Sequence, residues 1–156
     1  MDSEGALASK PSKKAASATY SATGVSNAGV ASASSTMLQA GSMHRTGIAF
    51  ETAPLKEDTE VTGPAKLLLW VSSTTKDMDV FVTVRNIGRD GKDVWEVGQQ
   101  GQPVPVAKGW LRASHRKLDP KLSLPYRPYH THGERQWLKP GKIVPAQVKG
   151  ANIRTD

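Results

Sequence analysis

The stretch KGWLRASHRKLDP, Lys108 to Pro120, brings Ser114, His115 and Asp119 close together in the chain. A nucleophilic hydroxyl needs a base within hydrogen-bond reach, and the base needs a third group to orient it. These three residue types could supply such a relay. The local pattern argues against it. Residues Gly109 to Arg116 alternate as a strand does, with Leu111, Ala113 and His115 on one face and Trp110, Arg112, Ser114 and Arg116 on the other. Neighbouring side chains on a strand leave opposite faces, so Ser114 and His115 do not share a hydrogen bond there. No catalytic residue is assigned, and Ser114 is expected on a polar outer face. Arg112 and Arg116 share that face with Trp110. A planar guanidinium engages a carboxylate through two bonds, so these three residues are expected to make structural or interdomain contacts.

Other groups invite metal or ligand readings. Asp77 and Asp79 flank Met78, but calcium takes about 6–8 oxygen ligands, so two carboxylates fall short and a structural hydrogen-bonding role is favoured. His130-Thr131-His132 is a His-x-His pair, and His44 and His115 are the only other histidines. The spacing builds in no third zinc ligand, so His130 is expected to pack over the fold or against a partner. No metal or cofactor is expected. Trp70, Trp95, Trp110 and Trp137 could stack on a sugar, although tryptophans on strands more often serve a core or an interface. The nearest approach to a Gly-x-Ser-x-Gly elbow is Gly24-Val25-Ser26-Asn27-Ala28. It lacks the final glycine and the flanking strand and helix that would expose a serine.

The elements that must position these residues read as short strands. Lys66 to Ser73, KLLLWVSS, is an apolar run after a Thr62-Gly63-Pro64 turn signal and is expected to be a buried strand. In MDVFVTVRN, Met78, Val80, Val82 and Val84 face one way, and Asp79, Phe81, Thr83 and Arg85 face the other. Gly88-Arg89-Asp90-Gly91 turns into KDVWEVG, the expected return strand of a hairpin. A loop broken by Pro120, Pro125 and Pro128 leads to Lys139-Pro140-Gly141-Lys142, expected to form a type II turn before a strand at Ile143 and Val144. No segment sustains a helical period. The fold class is all-β, an antiparallel β-sandwich.

Bulk properties narrow the function classes. The 156 residues suit one domain. The absence of cysteine excludes thiolate catalysis, disulfides and Cys-ligated zinc. The net charge of +7 attracts polyanions weakly, but cations and acids intermix without a basic stripe, so no nucleic-acid partner is expected. The longest apolar run, Leu67 to Val71, is far below the ~20 residues of a membrane helix. No signal-peptide pattern follows Met1, and a cytoplasmic protein without membrane association is expected. Three parts are delineated: an Ala/Ser-rich linker or weakly structured domain entry at 1–46, a partial β-sandwich at 47–148, and a divergent tail at 149–156.

Two ordered segments carry a family resemblance: FETAPLKEDTEVTGPAKLLLWVSSTTKDMDVFVTVRNIGRDGKDV and KGWLRASHRKLDPKLSLPYRPYHTHGERQWLKPGKIVP. Together they resemble the C-terminal domain of CocE/NonD-type, Xaa-Pro dipeptidyl-peptidase-like serine hydrolases, over about Phe50 to Val144. The resemblance implies a galactose-binding-like jelly roll that packs on an α/β-hydrolase domain holding the catalytic triad. That catalytic domain has no counterpart in this sequence. The chain is therefore expected to be a truncated fragment, incomplete at the C-terminal end of the sandwich, inactive alone and prone to aggregate through an unpaired sheet edge. A homo-oligomer is a further expectation. The alternatives are a stand-alone carbohydrate-binding module and a non-functional gene fragment.

Overall fold

The computed structural model describes residues 5–8, 10, 16–19, 22 and 48–154, with the backbone alone for 151–154. His44 and the Gly24–Ala28 segment lie outside the described residues. Contacts divide the chain into two units, Met1–Thr59 and Glu60–Asp156.

In the first unit, β1 (Gly5–Leu7) pairs in parallel with β2 (Phe50–Thr52). The Gly5 N–H donates to the Ala49 carbonyl at 2.9 Å. A side chain at Gly5 would come within 2.4 Å of the Phe50 ring, so the close pairing depends on this glycine.

The second unit is built on a four-stranded sheet. Its members are β3 (Thr62–Val71), β4 (Asp79–Val84), β9 (Ala107–Arg112) and β10 (Val144–Arg154), in the order β3-β10-β9-β4. Two hairpins lie between β4 and β9: β5 (Asn86–Ile87) with β6 (Asp93–Val94), and β7 (Glu96–Val97) with β8 (Pro103–Val104). KDVWEVG therefore does not form one return strand. It breaks at Trp95, and its second half pairs forward around a turn closed by Gly98 and Gly101. Gly101 has φ +76°, the left-handed conformation that favours glycine. The fold is all-β; the sheets of the second unit are antiparallel and curled, as in a β-sandwich, and no α-helix occurs among the described residues.

Period-two alternation sorts the sheet into two faces. Val80 pairs with Leu111, Val82 with Gly109 and Val84 with Ala107, all directed inward. On the other ladder Val144 pairs with Val71, Ala146 with Leu69 and Val148 with Leu67. Leu111, Ala146 and Val148 form the core, with Val71, Val80 and Val82 packed against it. β9 and β10 share one ladder pair, Gly109 and Gly150. A Cβ on Gly109 would sit 2.6 Å from the Lys149 carbonyl oxygen, so only glycine lets the two backbones approach this closely.

Four sequence expectations change here. Thr62-Gly63-Pro64 does not turn; it belongs to β3 and pairs with Asn152, Ile153 and Arg154 of β10. The ladder slips between Lys149 and Asn152, and a bulge of this kind tolerates a proline, which cannot donate to the ladder. β10 thus runs beyond the expected boundary at 148. The KLLLWVSS strand is covered on one side only: Leu68 and Trp70 face outward and are exposed. The strand from Gly109 ends at Arg112, and Ala113–His115 wind into a 3-10 turn.

Candidate functional site: a buried polar knot beside an exposed aromatic pair

The 3-10 turn moves Ser114 from the expected outer face into the interior, where it is fully buried. Three segments converge on it. The Ala113 N–H donates to the Met78 carbonyl at 2.8 Å, and the Gln136 N–H donates to the Ser114 carbonyl at 2.7 Å. The Leu138 N–H donates to Lys76 at 2.7 Å, and the Gly141 N–H to Ser73 at 2.9 Å. The loop after β3, the end of β9 and the approach to β10 are thereby tied together. Lys139 accepts from the Lys142 N–H at 2.9 Å, and Gly141 adopts φ +74°, as a type II turn requires.

Asp77 is the acceptor at the centre of this knot. Its Oδ2 accepts from the Ser114 hydroxyl at 2.7 Å, and its Oδ1 accepts from the backbone N–H groups of Ser114 at 2.8 Å and Met78 at 3.0 Å. Burial pushes the Asp77 carboxyl up, but the Ser114 hydroxyl, the two N–H groups and the Arg112 charge outweigh it and hold the carboxyl below its ordinary range. Arg116 braces the same knot by donating through Nη1 to the carbonyls of Ala113 and Gln136.

Asp79, two residues on, faces outward. It receives Arg112 Nε at 2.8 Å and Nη2 at 2.9 Å, a bidentate pair across β4 and β9. That contact lowers the Asp79 carboxyl and raises the Arg112 guanidinium. Beside it on the same outer face stand Phe81, 78 % exposed, and Trp110, 71 % exposed, directly opposite each other in the ladder. The outer face of β3 adds Trp70, which is paired with Pro145.

Ser114, His115 and Asp119 do not assemble into a relay. The Ser114 hydroxyl is committed to Asp77. Asp119 Oδ1 accepts from the backbone N–H groups of Lys121 and Leu122 at 2.8 and 3.0 Å, shaping the proline-rich loop. His115 turns the other way and places Nδ1 3.0 Å from His132 Nδ1. His130 is half-buried, and burial lowers its imidazole below the ordinary value, against an opposing contribution from the Gln147 backbone. Among the described residues no three potential ligands are close enough to hold a metal ion. Sequence reasoning missed the Asp77–Ser114 and His115–His132 contacts, both of which depend on the 3-10 turn that breaks the strand alternation.

Comparison with known proteins identifies the family. A family model described as the X-Pro dipeptidyl-peptidase C-terminal non-catalytic domain matches residues 3–151. Proteins bearing the names "Putative serine esterase Mb1866c" from Mycobacterium bovis and "Putative serine esterase MT1883" from Mycobacterium tuberculosis are each 33% identical over 102 residues, covering 62% of this chain and 14% of theirs. A solved structure of a CocE/NonD family hydrolase (SACOL2612) from Staphylococcus aureus superposes with a TM-score of 0.62 at 34% identity, over 65% of this chain and 18% of that one. This chain therefore spans a small part of the relatives it matches. The match over nearly its whole length shows that the chain belongs to the X-Pro dipeptidyl-peptidase C-terminal non-catalytic domain family.

Proposed function

We propose that the chain acts as the accessory β-sandwich of a hydrolase of ester or amide bonds, docking on an α/β-hydrolase domain that carries the chemistry. The observation that supports this reading most is the outer face of β4 and β9, where Phe81 and Trp110 stand exposed side by side next to the Asp79–Arg112 pair. Large aromatics flanked by a fixed, bidentate charge pair have the composition of an interface centre. The occupant is the hydrolase domain, because the family is defined as the non-catalytic part of longer enzymes. Trp110 and Arg112 contribute contact at that interface, whereas Asp77 and Arg116 act from beneath by holding the loops that frame it. The chain itself contributes cover and shape to the partner and performs no bond cleavage.

The test is association of the purified chain with a CocE/NonD-type α/β-hydrolase domain expressed without its own C-terminal domain. Binding, weakened at least about tenfold by Trp110→Ser or Phe81→Ser, is expected, since such anchors dominate interfaces. No association, or association indifferent to both substitutions, removes this reading. Turnover of p-nitrophenyl acetate or an Xaa-Pro nitroanilide by the chain alone, abolished by a serine-directed phosphonate, would refute its catalytic silence. The same exposed tryptophans leave the glycan-binding reading open to a direct check: saturable quenching of their fluorescence by sugars would favour it.

A further inference from the structure

We infer that His115 and His132 form a two-imidazole clamp for a divalent transition-metal ion such as Zn2+ or Cu2+. Their Nδ1 atoms lie 3.0 Å apart, with the rings tilted at 49°. Two imidazole nitrogens bound to one tetrahedral zinc, each at about 2.0–2.1 Å, stand about 3.3 Å apart, so the observed pair needs only a small opening to admit the ion.

The backbone holds the two histidines in place. The Thr131 N–H donates to the Lys117 carbonyl at 3.0 Å, and the Asp119 N–H donates to the Tyr129 carbonyl at 2.9 Å. These bonds bind the segment after His115 to the segment before His132. His132 has φ +54° and is the one non-glycine residue with positive φ among the described residues. That conformation is uncommon and costs energy for a residue with a Cβ. His132 is exposed, so an ion reaches the pair from solvent. Lys117, two residues after His115, has its ammonium paired with Glu134 at 2.8 Å, which offsets its charge. Among the described residues no third His, Cys, Asp or Glu stands close enough to complete the set. The remaining coordination positions are therefore open to water.

The test uses the full chain with each metal ion alone. Calorimetry with Zn2+ is expected to show one saturable equivalent, and Cu2+ electron paramagnetic resonance to show coupling to two imidazole nitrogens. His115→Asn and His132→Asn should each weaken Zn2+ binding at least about tenfold, whereas His44→Ala should leave it unchanged. Asparagine tolerates left-handed backbone, so His132→Asn preserves the loop while removing the ligand. Nuclear magnetic resonance of the unaltered chain gives a readout independent of any variant: Zn2+ should shift the ring signals of His115 and His132 together. A hydrogen-bonded imidazole pair with no saturable metal binding overturns the proposal. So does binding that survives loss of both histidines or disappears with His44.

Discussion

The Ser114 hydroxyl, without solvent exposure, donates to Asp77 Oδ2 at 2.7 Å while the Ser114 N–H donates to Oδ1 at 2.8 Å. One carboxylate thus fixes both the backbone and the side chain of a residue far along the sequence. Ser114→Ala leaves that carboxylate short of a buried donor, at an expected cost of about 1–3 kcal/mol. Thermal melting of the two proteins measures it. An unchanged melting temperature would mean that the hydroxyl contributes nothing net.

Acid should loosen the fold in two stages. Burial depresses the His130 imidazole, so the unfolded chain takes up a proton more readily than the folded one. Stability is full above the unfolded value of about 6.5 and declines as pH falls through the folded value. The Asp77 and Asp79 carboxyls are also depressed, Asp77 through Ser114 against burial and Asp79 through Arg112. Their stabilisation is present above about 4 and is lost as pH falls through their folded values. Urea midpoints across pH 3–7 should show both declines, and His130→Gln should remove the first while sparing the second.

Gly109→Ala should be among the most damaging small changes. The added methyl meets the Lys149 carbonyl oxygen at 2.6 Å and the Gly150 Cα at 3.2 Å, both of them backbone atoms that cannot swing aside. Forcing apart the ladder pair between β9 and β10 is expected to cost about 1–3 kcal/mol or more. Gly133→Ala is the control, since its nearest neighbour, the Thr131 carbonyl oxygen, is 4.0 Å away. Comparable melting temperatures for the two variants would contradict this account.

The isolated chain should self-associate through its exposed apolar face. Phe81→Ser combined with Trp110→Ser removes two large, mostly exposed rings without touching the core. Light scattering at matched concentration is expected to fall markedly, with the melting temperature nearly unchanged. Scattering that persists would direct attention to the sheet edges instead.

How much was legible depended on the range of the interaction. Val80, Val82 and Val84 declared an inward face because a strand imposes a period of two, and the structure places them inward. Lys139-Pro140-Gly141-Lys142 was readable because proline and glycine encode their dihedral angles locally. Ser114 was not. Its burial follows from a 3-10 turn stabilised by Asp77, and no local pattern announces a partner 37 residues away. The membership of Thr62-Gly63-Pro64 in β3 was hidden for the same reason, since the bulge that accommodates it lies on β10. Phe81 and Trp110 alternated correctly, yet alternation alone does not say which face a protein leaves uncovered.

The position of β10 has a consequence for how the sheet comes into being. It lies between β3 and β9, and it follows both of them in the chain. Among the described strands, β4 and β9 pair with each other, whereas the ladder partner of β3 is Val144–Arg154, which is made later. Such long-range closure is slow and leaves a sticky intermediate. The four-stranded sheet is therefore closed by β10, and a chain cut short before residue 144 leaves the edge of β3 that β10 covers open to a neighbour.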